Sequence, residues 1–178
     1  MQGLGRALLG ALLMGGLMTF GDWVWAVLNL PHRTVFGLVH GLALCCGIGL
    51  YLGAPRKRTA RGAVSGGLIG LGAAALFYLL APWMRWGAML PAWMAFWVAF
   101  GILLWRFLGE PMAPMREAVL RGLIAALGSG LAFYAISGIW TRPSASGPDY
   151  IRHFASWTVA FLPGFLALLV EKRRPATS

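Results

Sequence analysis

Residues 62–81 read GAVSGGLIGLGAAALFYLLA, a run of twenty residues without a charged side chain. A helix of about 20 apolar residues is long enough to cross the hydrocarbon core of a bilayer. Gly62, Gly66, Gly70 and Ala74 recur at intervals of four, so they share one helix face. Because lipid tails are as apolar as leucine, such helices associate through small residues that let two backbones approach. The run therefore predicts a membrane-spanning helix that is central and closely packed in a bundle.

Five more apolar runs accompany this one, separated by short polar segments. The chain has 178 residues, of which 59% are hydrophobic and 11% charged, whereas a soluble domain is about 25% charged. Six spans of about 20 residues leave no room for an extramembrane domain of even about 50 residues. The sequence thus predicts one all-α transmembrane domain over residues 1–178, a compact six-helix bundle. Its predicted spans are 7–29, 34–54, 62–81, 88–105, 117–140 and 150–170.

The charges predict how the bundle is oriented. Fifteen Lys and Arg oppose five Asp and Glu, an excess that would suggest nucleic-acid binding in a soluble protein. Here the basic residues lie between apolar runs, and eleven of them fall on one side of the predicted membrane and four on the other. Since cytoplasmic loops carry the excess of Lys and Arg, we expect both termini in the cytoplasm and an even number of spans. We expect a bacterial inner membrane, or the endoplasmic reticulum in a eukaryote, and no nucleic-acid partner.

The first apolar run raises the question of a signal peptide, since Arg6 precedes it. We interpret the run as a retained span, because its apolar core continues past Asp22 to Leu28 without a good small-residue cleavage site.

Two features suggest partners. The basic segment between the second and third spans is expected to meet anionic lipid headgroups, through Arg56, Lys57, Arg58 and Arg61. The stripe formed by Gly62, Gly66 and Gly70 suits packing within the chain and also a homo-oligomer, and the sequence does not separate the two uses.

Asp22 is the most informative polar residue. It lies about seven residues before the end of the first predicted span, which places it roughly 10 Å below the outer surface. A carboxylate at that depth is costly and usually faces protein or water. His40 lies about six residues into the second span, at similar depth, so an Asp22–His40 pair is our hypothesis. The alternative is that Asp22 reaches the interface or bonds to backbone donors.

The sixth span carries polar residues at its start and a proline in its middle. Asp149, Tyr150, Arg152 and His153 cluster at the outer end, where Asp149 is predicted to be the helix N-cap. Pro163 should kink the helix, which either opens a cavity or merely improves packing. Two further groups of side chains are expected to be structural, an ion pair of Glu117 with Arg121 and the adjacent Cys45 and Cys46.

Motifs of intramembrane catalysis are missing from the sequence. It has no HExxH, no P-loop and no glycine-rich phosphate fingerprint. Ser129 lies in Gly128-Ser129-Gly130, but Leu127 replaces the first glycine of a GxSG nucleophile motif, so a packing role is favoured. We expect no catalytic residue, no metal and no cofactor.

Several local motifs resemble the Insig (insulin-induced gene protein) family. Cys45-Cys46-Gly47, followed by Gly49 and Gly53, is similar to that family's second span. Pro148-Asp149, followed by Tyr150-Ile151-Arg152 and Ser156-Trp157, is similar to the segment entering its sixth span. The resemblance extends over much of residues 20–172 and implies a six-helix bundle that binds lipid-like molecules such as sterols without catalysis. This chain lacks the run of acidic and then basic residues that eukaryotic members have in the loop between their fourth and fifth spans. The resemblance therefore does not extend to the partner function of the eukaryotic members.

Three functions remain open at this point. The first is binding of a lipid- or sterol-like ligand, such as diacylglycerol, in an intramembrane cavity. The second is a small transporter or channel subunit with a path lined by Asp22 and His40. The third is a lipid-modifying enzyme, disfavoured because clustered polar groups are few. The candidate ligand-binding residues are Asp22, His40, Asp149, Tyr150, Arg152, Trp157 and Pro163.

Overall fold

The computed structural model of the chain describes residues 2–28, 32–106, 108, 114–140 and 149–170. Within those residues the chain is helical and forms six long α-helices, without a strand. Each helix is long and apolar enough to cross a membrane. The helices are α1 (Gln2–Leu28), α2 (Arg33–Gly53), α3 (Thr59–Met84), α4 (Met89–Arg106), α5 (Met115–Trp140) and α6 (Tyr150–Leu169).

The predicted all-α class is confirmed within the described residues, and each of the six apolar runs forms a helix, with differences at the ends. The helix α1 begins at Gln2, five residues before the predicted boundary at Ala7. The third span was predicted to end at Ala81, but α3 continues through Pro82 to Met84. A proline removes one backbone hydrogen bond, here the one to the carbonyl of Tyr78, and the last turn of a helix tolerates that loss. The chain reverses one residue later, at Arg85, which has a positive φ of 50°.

The six helices form a closed ring. Going round it, α1 packs on α6, α6 on α5, α5 on α4, α4 on α3, and α3 on α2. The ring closes between α2 and α1, whose contact is the least extensive of the six. We call the end where α1 begins and α6 ends the basic end, because it also carries Arg56, Lys57, Arg58 and Arg61. The other end, which contains Asp22, is called the Asp22 end.

Backbone-to-backbone packing joins α2 to α3. A Cβ placed on Gly66 would lie 2.1 Å from the carbonyl oxygen of Cys45, and one on Gly70 would lie 2.1 Å from that of Gly41. A Cβ on Gly62 would meet the carbonyl oxygen of Gly49 at 2.2 Å. The close packing predicted for the glycine stripe is therefore present, and it is made within the chain. These three glycines are buried against α2.

The predicted central position of α3 is wrong. Its buried residues are four glycines only, whereas Val64, Leu68 and Leu79 are exposed. Gly72, on another face, has no atom within 4 Å of a Cβ built on it. Small residues allow close approach to one neighbour but cover little surface, so much of the surface of α3 outside its contact with α2 is exposed.

Aromatic rings fill the middle of the ring of helices. Trp93 and Trp97 of α4 are buried, and both contact Phe161 of α6, with ring centroids 5.4 and 6.4 Å away. The ring of Trp97 lies against Gly164, where a Cβ would be 2.1 Å from it. Large rings on α4 and a glycine on α6 thus fit together at the centre. Further buried rings complete this aromatic core: Phe96, Phe100, Phe133, Trp157 and Phe165.

The α2–α3 contact yields a test with a matched pair of glycines on one helix. Gly66→Ala places a methyl group against a backbone carbonyl, so the helices must separate, and we expect a loss of about 2 kcal/mol or more in the free energy of unfolding. Gly72→Ala adds the same methyl group in open space, and should be neutral or slightly stabilising because alanine favours helix. Unfolding of the purified protein by a denaturing detergent measures both. Equal stability of the two variants would contradict the observed packing.

Candidate functional site

Asp22 lies at the centre of a polar cluster between α1 and α6. Its Oδ2 atom accepts a hydrogen bond of 2.9 Å from the indole Nε1 of Trp157. The same oxygen lies 3.2 Å from Nδ1 of His153. Asp22, His153 and Trp157 are called the Asp22 cluster below. Two of the predicted ligand-binding residues, Asp22 and Trp157, are thus brought into contact.

Helix geometry explains why these three side chains meet. His153 and Trp157 are four residues apart, so they project from one face of α6, one turn above the other. Asp149 begins that helix as its N-cap, as predicted, and accepts a hydrogen bond of 3.1 Å from the backbone N–H of Arg152. The helices α1 and α6 pack together in opposite directions, so the start of α6 lies beside the part of α1 that carries Asp22.

The structure records no hydrogen bond or ion pair for the hypothesised Asp22–His40 pair among the described residues, although the two residues lie at the same level of the bundle. The ring of His40 packs directly on Gly21, and its Nε2 lies 2.9 Å from the sulfur of Met18. Successive helix residues are rotated by about 100°, so Gly21 faces α2 while Asp22 faces α6. His40 is close enough to Asp22 for a through-space electrostatic interaction, and it borders the Asp22 cluster from the side of α2.

The Asp22 cluster is only partly enclosed. The side chain of Asp22 is 34% exposed and that of His153 is 17% exposed. Both described donors reach Oδ2, and the structure records no hydrogen bond to Oδ1 in the part of the chain that it describes. An ionised carboxylate oxygen accepts hydrogen bonds and has no proton to donate. The cluster therefore offers an acceptor to a hydroxyl or ammonium group that arrives from outside.

The other predicted site residues lie at varying distances from the cluster. Tyr150 contacts the ring of His153, with centroids 5.8 Å apart. Arg152 points away, is 61% exposed and pairs with Asp149 at 3.1 Å. Pro163 lies deeper in α6 and packs against α5, since a Cβ on Gly128 would be 2.9 Å from its ring. The structure thus places Pro163 in a packed contact.

His153 was noted in the sequence but was not among the predicted site residues. The signal that identifies it is its spacing of four from Trp157, which places both on the buried face of α6 with Ser156 and Ala160. A histidine on that face, level with Asp22, was the more suitable partner for its carboxylate. His40, in contrast, had only its depth in common with Asp22.

A small cavity lies at the basic end, away from this cluster. It has a volume of about 20 Å³ and is bordered by Trp105, Leu168 and the ion pair of Glu117 with Arg121. That pair, predicted from its spacing, is confirmed at 2.9 Å. The space suits one water molecule and is too small for a lipid. Within the described ranges, no three His, Cys, Asp or Glu side chains are grouped as metal ligands.

Comparison with known proteins identifies no relative. The chain matches no family model, no curated protein and no solved structure.

The hydrogen bond from Trp157 to Asp22 can be tested against a second buried tryptophan. Trp157→Phe removes an indole N–H that binds a carboxylate, whereas Trp97→Phe removes a buried Nε1 that lacks a partner in the described structure. Both changes lose similar ring volume, so their difference isolates the hydrogen bond. We expect Trp157→Phe to cost about 1–2 kcal/mol more in the free energy of unfolding.

The unfolding measurement is repeated with Asp22→Asn and with the Asp22→Asn, Trp157→Phe double variant. The costs of the two single changes should not add, because both weaken one contact. Additive costs, or a Trp97→Phe variant as unstable as Trp157→Phe, would show that the bond contributes nothing.

Proposed function

We propose that the protein is an integral membrane protein with six spans and both termini in the cytoplasm. Six helices of sufficient length and apolarity support the spans. The bias of the basic residues toward one side supports the orientation. In this orientation the basic end faces the cytoplasm, and Arg56, Lys57, Arg58 and Arg61 meet anionic headgroups. A bacterial inner membrane is the location that we propose.

We further propose that the protein binds a lipid- or sterol-like amphiphile, without catalysis, with the ligand's polar head at the Asp22 cluster. The observation that carries this proposal is the partly exposed carboxylate of Asp22, whose Oδ2 is contacted by His153 and Trp157 while no hydrogen bond to Oδ1 is recorded among the described residues. The resemblance to the Insig family, which implies a lipid-binding bundle, supports the same class of ligand.

The physical argument rests on the cost of a carboxylate at this depth. An ionised group inside a bilayer is expensive unless it is paired or hydrated. The contacts with the indole of Trp157 and the imidazole of His153 offset part of this free-energy cost. A hydrogen bond from a hydroxyl of a diacylglycerol or sterol to Oδ1 would offset more of it. Such a contact selects amphiphiles with a hydrogen-bond donor at the head, because an ester or ether alone has no proton to donate.

The surroundings of the cluster favour binding over transport. Deeper in the bundle, Trp157 is followed by Phe161 and Phe165 on α6, with Trp93 and Phe133 beside them. A path for ions or polar solutes needs polar groups along its length. The apolar part of an amphiphile, however, is compatible with aromatic walls. Gly16, six residues deeper on α1, borders open surface beside Phe154 and leaves room for that apolar part.

The orientation is tested by labelling single cysteines in cells with a membrane-impermeant maleimide, in a background with Cys46→Ala because Cys45 is buried. Lys57→Cys should react only after the membrane is permeabilised, whereas Arg152→Cys should react in intact cells. Both positions are exposed on the bundle, at opposite ends. The reverse pattern would invert the orientation, and equal labelling of both would contradict the spans.

The ligand site is tested with fluorescent diacylglycerol and sterol probes added to the full chain in nanodiscs of a neutral phospholipid. We expect saturable binding of at least one probe, and about tenfold weaker binding to Asp22→Asn, because a hydrogen bond to a charged acceptor is lost. The matched control is Asp149→Asn, which changes a carboxylate on the same end of the bundle that caps α6.

If wild type and Asp22→Asn bind the probes with equal affinity, Asp22 does not contact the ligand. If neither probe saturates and liposomes containing the protein show an ion flux that Asp22→Asn abolishes, the transporter hypothesis replaces this one.

A further inference from the structure

A second group of side chains with a distinctive chemistry lies at the contact between α1 and α2. The Nε2 atom of His40, on α2, lies 2.9 Å from the sulfur of Met18, on α1. Met14 and Met18 are both buried, with 5% and 8% of their surface exposed. We call Met14, Met18 and His40 the thioether group. It uses none of the three side chains of the Asp22 cluster.

Helix geometry brings the sulfur of Met14 to the same contact. Met14 and Met18 are four residues apart, so they project from one face of α1, with Cβ atoms about 5–6 Å apart. A Cβ placed on Gly47 of α2 would lie 3.7 Å from the sulfur of Met14, so this side chain also faces α2. Two thioethers and one imidazole therefore border the same contact, within about one turn of helix.

The chemistry of these donors indicates a soft metal ion. A thioether sulfur is only a weak acceptor of a hydrogen bond, so an imidazole N–H gains little from Met18. Thioethers are, in contrast, good ligands for Cu(I), and imidazole suits copper as well. The expectation of no metal rested on the absence of zinc and cysteine motifs in the sequence, and a thioether site needs neither.

The contact between α1 and α2 can accommodate an ion by rotation of side chains alone. It is the least extensive contact of the ring, and it is made by side chains packed on glycines, Tyr51 on Gly10 and His40 on Gly21. Methionine has three rotatable bonds and adapts to its surroundings, so the sulfurs can turn toward an ion. In the α2–α3 contact, by comparison, backbone lies directly on backbone.

A route from outside leads to His40. Its side chain is partly exposed, and it borders the Asp22 cluster, where the side chain of Asp22 is 34% exposed. His40 is close enough to Asp22 for a through-space electrostatic interaction. A negative charge at this place favours a cation over an anion as the occupant.

We propose that the thioether group binds a soft monovalent cation, Cu(I). The Nε2 atom of His40 and the sulfur of Met18 are the first two ligands, and the sulfur of Met14 is the third after its side chain rotates. His40 then binds in its neutral form, through the lone pair of Nε2 and with its proton on Nδ1. The bound ion links α1 to α2 at the least extensive contact of the ring. The proposal does not depend on amphiphile binding at the Asp22 cluster.

The test titrates Cu(I) into the full chain in nanodiscs, under anaerobic reducing conditions, against a chromophoric Cu(I) chelator. The protein carries Cys45→Ala and Cys46→Ala, because free thiols bind Cu(I) themselves. We expect one Cu(I) per chain. Met18→Leu keeps the side-chain volume and should weaken binding about tenfold or more, because even residues that only support a metal ligand contribute that much. His40→Gln should weaken binding to a similar extent.

The matched control is Met94→Leu, because Met94 is a partly buried methionine of α4 that packs on the hydrophobic core. This variant should bind Cu(I) as tightly as the parent chain does. Equal affinities of the parent, Met18→Leu and His40→Gln would overturn the proposal. Displacement of Cu(I) by equimolar Zn²⁺ would contradict it as well, since thioethers prefer the softer ion.

A second measurement uses the chain with its cysteines in place. Ag(I), a soft monovalent ion that is stable to oxidation, is added to protein with isotope-labelled methionine methyl groups, which are observed by NMR. Among the eight methionines, those at 14 and 18 should show shifted methyl signals once the thiols are saturated. Unshifted signals of these two, or an equal shift of all methionines, would rule out the thioether site. Binding of the amphiphile probes is measured separately, so each proposal can fail without the other.

Discussion

The distance to which two helix backbones can approach is the constraint on which this structure depends. In the membrane location that we propose, apolar burial gives little net attraction between helices, so packing contacts must hold them together. In α2 and α3 this is achieved by glycines such as Gly66 and Gly70, whose Cα atoms lie against carbonyl oxygens of the other helix. The helices α4 and α6 approach each other in another way, because the ring of Trp97 fills the space beside Gly164.

This packing determines where a polar group is tolerated. The contact between α1 and α2 is the least extensive of the ring, and it is bridged by side chains such as Tyr51 and His40 rather than by close backbones. A carboxylate on α1 therefore depends on α6, which presents His153 and Trp157 at the required depth. The two ends of α1 carry opposite charges, Asp22 at one end and Arg6 at the other. Each has unfilled hydrogen-bonding capacity within the described structure.

Much of the fold was predictable because apolar length and the spacing of small residues are local properties of the sequence. The six helices, the N-cap at Asp149 and the Glu117 pair with Arg121 belong to this class. The position of α3 in the ring and the partner of Asp22 were not predictable in the same way. Depth along a helix follows from counting residues, but the direction in which a side chain faces depends on which helix is its neighbour. His40 lies at the same level of the bundle as Asp22, but it packs on Gly21. Gly21 precedes Asp22 by one residue, so the two residues face directions about 100° apart.

We propose that an amphiphile places its polar head against the Asp22 cluster. Photoaffinity labelling tests it most directly, with a diacylglycerol or sterol probe that carries its reactive group next to the head, followed by mapping of the labelled residues by mass spectrometry. We expect labelling to concentrate on the end of α1 around Asp22 and on the start of α6 around His153, and excess unlabelled ligand to suppress it. Labelling spread evenly over the exposed faces of all six helices, or concentrated at the basic end, would contradict the proposed ligand site.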